Sequence, residues 1–210
     1  MLPDSSDLLV FLVATLALNL TPGPDMLYVI ARSVGQGRTA GIVSALGIGA
    51  GIFVHIFAVA LGLATLLVSL PLGFEMIKYA GAAYLLYLGI RILVSKEEIV
   101  TEGHVRKDNL ARIFQQGVIT NVLNPKVALF FLAFLPQFVD EARGPIGWQV
   151  VALGLLFNIS GTLVNVGVAL LAGSIGNRLQ GRPVFTRAQK WLTGGIFIGL
   201  AMRLALLERR

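Results

Sequence analysis

Apolar residues run along this chain in long blocks separated by short polar connections, and the blocks lie at 8–31, 41–70, 72–95, 113–139, 146–175 and 191–207. As helices, blocks of this length cross the ~30 Å hydrocarbon core of a bilayer. They are too long and too uniformly apolar for the strands of a membrane barrel. In hydrocarbon a helix satisfies its own backbone, so the pattern predicts an all-α integral membrane protein with six transmembrane helices. The one substantial hydrophilic stretch is 96–112, of mixed charge, which reads as a hinge loop between a first half, 1–95, and a second, 113–210, of three spans each.

The two halves resemble each other. Pro22 in the first span matches Pro125 in the fourth; GIFVHIFAVAL from Gly51 matches GTLVNVGVALL from Gly161; and Lys78 with Arg91 matches Lys190 with Arg203 at the same spacing. Ordered matches of this kind point to an internal duplication. Because each half has an odd number of spans, its copy enters the membrane upside down. The expected architecture is two inverted three-helix repeats, a plan found in many secondary transporters.

Composition agrees with lipid as the solvent, since 56% of the 210 residues are hydrophobic and 13% charged. The net charge of +6 does not signal nucleic-acid binding here, because basic residues of membrane proteins gather in cytoplasmic loops. After spans one, three and five stand Arg32, Arg38, Arg91, Lys96, Arg106, Lys107, Arg112, Arg178, Arg182, Arg187 and Lys190; the other side has Lys78, Arg143, Arg203, Arg209 and Arg210. That bias places the termini outside and the central loop in the cytoplasm. The chain has no cysteine, which excludes disulfides, thiolate metal sites and dithiol redox chemistry. Its opening MLPDSSD lacks the positive region of a secretory signal, so the first span is expected to be retained.

The first span also contains residues that a continuous lipid-facing helix does not tolerate. It reads LALNLTPGPDMLYVI, with two prolines, a glycine and an aspartate. Thr21 before Pro22 and Pro24 before Asp25 both read as a helix restarting, with Thr as an N-cap. The fourth span repeats this grammar in TNVLNPKVALFF, with Asn124 as cap and Pro125 in the first turn. Helices one and four are thus expected to be broken near the bilayer midplane, each aiming the positive end of a half-helix inward. Asp25 and Lys126 flank this level, where an ionisable group costs at least ~2.5 kcal/mol unless paired or hydrated. A substrate site explains both; a structural Asp25–Lys126 ion pair is the alternative.

Other polar residues are less specific. His55 in the second span can relay protons, although a lone histidine more often joins helices, and its repeat counterpart Asn165 does not titrate. Asn19, Asn121, Asn158, Ser160 and Thr162 either line a polar path or bind helices together. The glycines at 47, 49 and 51, and at 194, 195 and 199, read as close-packing surfaces.

With TPGPD in the first span, NPKVALFFLAFLPQF in the fourth and six spans in 210 residues, the whole chain resembles the lysine-exporter (LysE) family, particularly its homoserine and threonine resistance branch. The resemblance implies a bacterial inner-membrane, multi-pass exporter of amino acids energised by the proton gradient. Its partners are then the amino-acid substrate, the proton and the lipid bilayer, with a homodimer left open and no cofactor, metal or nucleic acid expected. Thr21, Pro22, Gly23, Pro24 and Asp25, with Asn124, Pro125 and Lys126, fall in the family's central motifs. The chemistry of a zwitterion fits them: Asp25 for the ammonium, Lys126 and the half-helix N-termini for the carboxylate. Asn19 joins them as a substrate-binding candidate, and Asp25 and His55 are the candidates for proton coupling. A membrane-embedded enzyme acting on a lipid-like substrate is the alternative, but the chain has no HExxH, no paired aspartate-rich motif and no thiol.

The orientation is directly testable because the chain is free of cysteine. Ser5→Cys should react with an impermeant thiol reagent in intact cells, and Thr101→Cys only after permeabilisation. The reverse pattern inverts the topology.

Overall fold

A computed structural model describes residues 3–69 and 108–175, together with isolated helical positions at 79, 83, 86, 87, 90, 93, 94, 198, 199 and 202. Every element among the described residues is helical. Helix α1 (Ser5–Leu20) and helix α2 (Pro24–Gln36) together make the first, broken span, bent by 47°. Helix α3 (Arg38–Ser69) follows, and the second half opens with α4 (Leu110–Val122), α5 (Pro125–Leu129) and, after irregular turns, α6 (Ile146–Ile175). From Leu110–Val122 to Pro125–Phe138 the chain bends by 47° again. By length and apolarity α3 and α6 each qualify as a membrane span, and counting each bent pair as one span raises the number to four among the described residues. These are the first two spans of each expected repeat. The expected spans 72–95 and 191–207, with Lys78, Arg91, Lys190 and Arg203, lie outside the described residues apart from the isolated positions.

Local chemistry sets the boundaries. Gly37 holds φ at +90°, a left-handed conformation that favours glycine, and its N–H returns to Ser33 O at 3.0 Å, so α2 turns into α3 with no further linker. Asn109 caps α4 by accepting from the Arg112 N–H at 2.8 Å. The fourth span does not continue as one α-helix after its break. Pro136 has no N–H to offer the preceding turn, and the chain widens into a π turn at Phe130–Phe134 and then tightens into a 3-10 turn at Leu135–Phe138. Gln137 Nε2 donates to Ala133 O at 2.6 Å, replacing part of the lost ladder.

Helix α3 lies between α4 and α6. Its approach to α4 is backbone on backbone, because a Cβ on Gly47 would collide with the Phe114 carbonyl and one on Gly117 would sit 2.8 Å from Ser44 O. Toward α6, a Cβ on Gly49 would meet Thr162 Oγ1 at 2.7 Å, and Asn158 Nδ2 donates to Gly49 O at 3.1 Å. Asn158 and Thr162 therefore join helices, as does the Asn19 Nδ2 bond to Ser160 Oγ at 3.1 Å. At Gly199 a Cβ would meet nothing within 4 Å among the described residues, a departure there from the close-packing expectation. The main core packs Phe11 of α1 and Phe157 of α6 against Phe130, Phe131, Phe134 and Phe138, with the Phe130 and Phe157 rings 4.9 Å apart. Beside it Arg143 binds Asp4 at 2.6 Å and Asp140 at 3.2 Å, and the Asp4 hydrogen bond, foremost, raises the pKa of its guanidinium. Such an exposed pair adds little stability.

Gly47→Ala should destabilise the purified protein by about 1–3 kcal/mol, because the helix backbones have no room to yield without separating. Gly62→Ala, where a Cβ meets nothing within 4 Å, should leave the melting temperature unchanged or slightly raised. Equal melting of the two variants would refute the close α3–α4 approach.

Candidate functional site

The site is built where the two helices break. At the first break, α1 ends because the residue before Pro22 is pushed out of the helical region, and Thr21 is extended at φ −72°, ψ 124°. Its N–H bonds back to Ala17 O and Leu18 O, both at 3.1 Å, and its hydroxyl donates to Ala17 O at 2.6 Å. Thr21 therefore closes α1, and the expectation that it caps a new helix is corrected: from an extended position its hydroxyl meets the orphan carbonyls behind it. Gly23 is the N-cap of α2, Pro24 occupies the first turn, and Asp25 follows there, 8% exposed. At the second break the expected grammar holds. Asn124 Oδ1 accepts from the Lys126 N–H at 3.0 Å, and Pro125 opens α5.

The breaks are stitched together across the two halves. Lys126 Nζ donates to Leu18 O at 3.1 Å and Thr21 O at 2.9 Å, placing a cation on the negative end of α1. No ion pair joins Lys126 to Asp25, so the alternative of a structural pair is set aside: the ammonium turns to backbone carbonyls instead. Gly23 makes room for it, since a Cβ there would lie 3.1 Å from Nζ. In the repeat matching, Gly23 and Lys126 are equivalent positions. Asp25 Oδ2 accepts from Asn121 Nδ2 at 2.8 Å. The Asn121 carbonyl, at the end of α4, lies 3.1 Å from His55 Nε2. A carbonyl only accepts, so Nε2 carries the proton there.

Leu18, Asn19, Thr21, Asp25, Met26, Lys126, Val127, Phe157 and Asn165 enclose a cavity of about 20 Å³, room for about one water. Four of the expected site residues thus share one wall: Asn19, Thr21, Asp25 and Lys126. Pro22, Gly23, Asn124 and Pro125 shape the breaks without lining it, and His55 stands behind Asn121. Its repeat counterpart Asn165 reaches the cavity instead. Four buried side-chain atoms lack a hydrogen-bond partner among the described residues: Asp25 Oδ1, Asn121 Oδ1, Asn124 Nδ2 and Thr15 Oγ1. Three belong to the breaks. Buried polar atoms are rarely left unpaired, so their concentration here marks a place where another molecule can supply the missing bonds. The role of Asn121 toward Asp25 and the apolar wall of Leu18, Met26, Val127 and Phe157 escaped the sequence reading. For Asn165, its alignment with His55 was the available signal.

Comparisons with known proteins show the family. Residues 16–208 match the family model described as LysE type translocator. The leucine efflux proteins of Salmonella typhimurium (strain LT2) and Salmonella typhi are 32% identical to the chain over 203 residues, covering 94% of it and 94% of their own length. An uncharacterized membrane protein of Vibrio cholerae serotype O1 is 29% identical over 198 residues, covering 94% of the chain and 95% of its own. No solved structure matches. With the family model spanning nearly its whole length, the chain belongs to the LysE type translocator family, and it is a transporter and not an enzyme.

Proposed function

We propose that this protein exports amino acids with uncharged, apolar side chains from the cytoplasm by proton antiport, with six spans arranged as two inverted repeats, 1–95 and 113–210, joined by the 96–112 loop. The observation that carries the reading is that Asp25, a residue of the cavity wall, has a buried Oδ1 with no hydrogen-bond partner among the described residues. An α-ammonium supplies the donor that atom lacks. The carboxylate then faces Lys126, whose ammonium has three N–H donors and spends two on Leu18 O and Thr21 O. The N-termini of α2 and α5 add positive potential at the same level. For the side chain, Leu18, Met26, Val127 and Phe157 offer an apolar wall. The efflux of leucine named for the Salmonella relatives fits that wall.

Proton coupling follows from competition. Asp25 holds either a proton or the substrate ammonium and gains little from both. Substrate leaves outward as a proton arrives, and the proton leaves inward as new substrate binds. His55 is not required in this scheme, since its Nε2 is engaged on the Asn121 carbonyl. At about 20 Å³ the cavity has room for about one water, so loading an amino acid requires it to widen.

Two variants test the assignment in proteoliposomes. Asp25→Asn should lose gradient-driven leucine export, leaving any residual leucine-for-leucine exchange insensitive to an imposed pH gradient. Retained uphill transport would refute the role of Asp25 and make His55 the next residue to test.

Lys126→Met should lower export by about a hundredfold, the loss of a charged hydrogen bond to the substrate. It should also cost about 1–3 kcal/mol of stability by removing the charged donor from Leu18 O and Thr21 O. Reduced melting with normal export would make Lys126 a helix cap alone.

A further inference from the structure

Seven residues beyond Asp25 along α2, about 10 Å by helical rise, the seam between α2 and α4 is made of polar side chains. Arg32, 7% exposed, donates to Asp108 Oδ2 at 2.7 Å and to Gln116 Oε1 at 2.6 Å. Gln36 Nε2 donates to Asp108 O at 2.9 Å, and the Tyr28 hydroxyl donates to Ile113 O at 2.8 Å. Arg112 stands 3.3 Å from the other Asp108 oxygen. These bonds tie the first half of the chain to the end of the loop and to the second half, or brace a group that does.

The opposite end of the broken span is closed differently. There Phe11 packs on Phe130 and Phe138 in the main apolar core, with the exposed Arg143–Asp4 pair at its rim. Parting an apolar core exposes hydrocarbon to water, whereas parting a polar seam exchanges protein hydrogen bonds for hydrogen bonds to water. Helix α2 also packs on α3 and α6, away from the seam.

We propose that the Arg32–Asp108–Gln116 cluster, braced by Tyr28 and Gln36, is the gate through which the cavity opens toward the end of the molecule that carries Asp108. The gate is closed while Arg32 bridges Asp108 and Gln116. It is open when these groups are hydrated separately and α2 leans away from α4. The hydrophilic loop is thereby more than a tether, because its last residues carry the acid that latches the first half to the second. This inference rests on the cavity being the substrate site, and it assigns to that site the side from which it loads.

The test reads access to the cavity and needs no substrate. Asn165→Cys puts a single thiol on the cavity wall of the cysteine-free chain, and its rate of modification by an impermeant methanethiosulfonate is measured from each face of the membrane. Adding Asp108→Asn should raise the rate about tenfold, and adding Tyr28→Phe about threefold, from one and the same face only. Unchanged rates overturn the gate, and so does an equal rise from both faces, which is general loosening. Tyr28→Phe preserves the shape of the side chain, so it decides alone if Asp108→Asn does not purify as a monodisperse protein. A one-sided rise in a protein that moves no amino acid keeps the gate and rejects the substrate reading. Amino-acid flux with flat labelling does the reverse.

Discussion

Backbone carbonyls freed by a helix break have no water to turn to in hydrocarbon, and each left bare costs several kcal/mol, roughly the value of a whole side chain's burial. The architecture around the two breaks answers that requirement by exchange between the halves. Lys126, from the second half, donates to the last carbonyls of α1. His55, from the first half, donates to the Asn121 carbonyl at the end of α4. Leu18 O and Asn121 O each also accept within their own half, from the Thr21 N–H at 3.1 Å and the Asn124 N–H at 2.9 Å, so the bonds from Lys126 and His55 add a second donor to each and tie the halves together at the breaks. Gly23 belongs to this arrangement, because a side chain at its position would press on the Lys126 ammonium.

Placing the cation on carbonyls leaves the carboxylate incompletely served. Asp25, a residue of the cavity wall, receives one bond, from Asn121, and its other oxygen has none among the described residues. A structural ion pair would have consumed both charges and left nothing to bind a zwitterion. Here the two charges stand on one cavity wall with different partners, and each retains capacity. On the proposed function, that separation leaves bonds that a small molecule with opposite charges at its two ends would supply.

Closure of the site uses two kinds of interaction with different responses to water. The aromatic cluster around Phe130 resists separation in proportion to the apolar area it hides. The Arg32 cluster holds through directional bonds that water can replace. The contrast lies along a single broken span, from Phe11 in α1 to Arg32 in α2, so the 47° bend between them separates an apolar half-helix face from a polar seam.

The sequence by itself determined the class of structure and the position of the breaks. Long apolar blocks demand helices in lipid, α6 begins where its block does, and the Pro-bearing motifs TPGP and NPK interrupt their helices, because proline's missing N–H is a local property. Asn124 capped its helix as its side chain dictated, again through a contact two residues away. Tertiary structure alone decided the partners. Lys126 chose carbonyls more than 100 residues away over Asp25, and Asn121 reached Asp25 from the other half of the chain. The cavity wall combined α1, α2, α5 and α6. A polar side chain in low dielectric takes whichever complementary group the packing brings within 3 Å or so, and only the packing of helices distant in sequence settles which group that is.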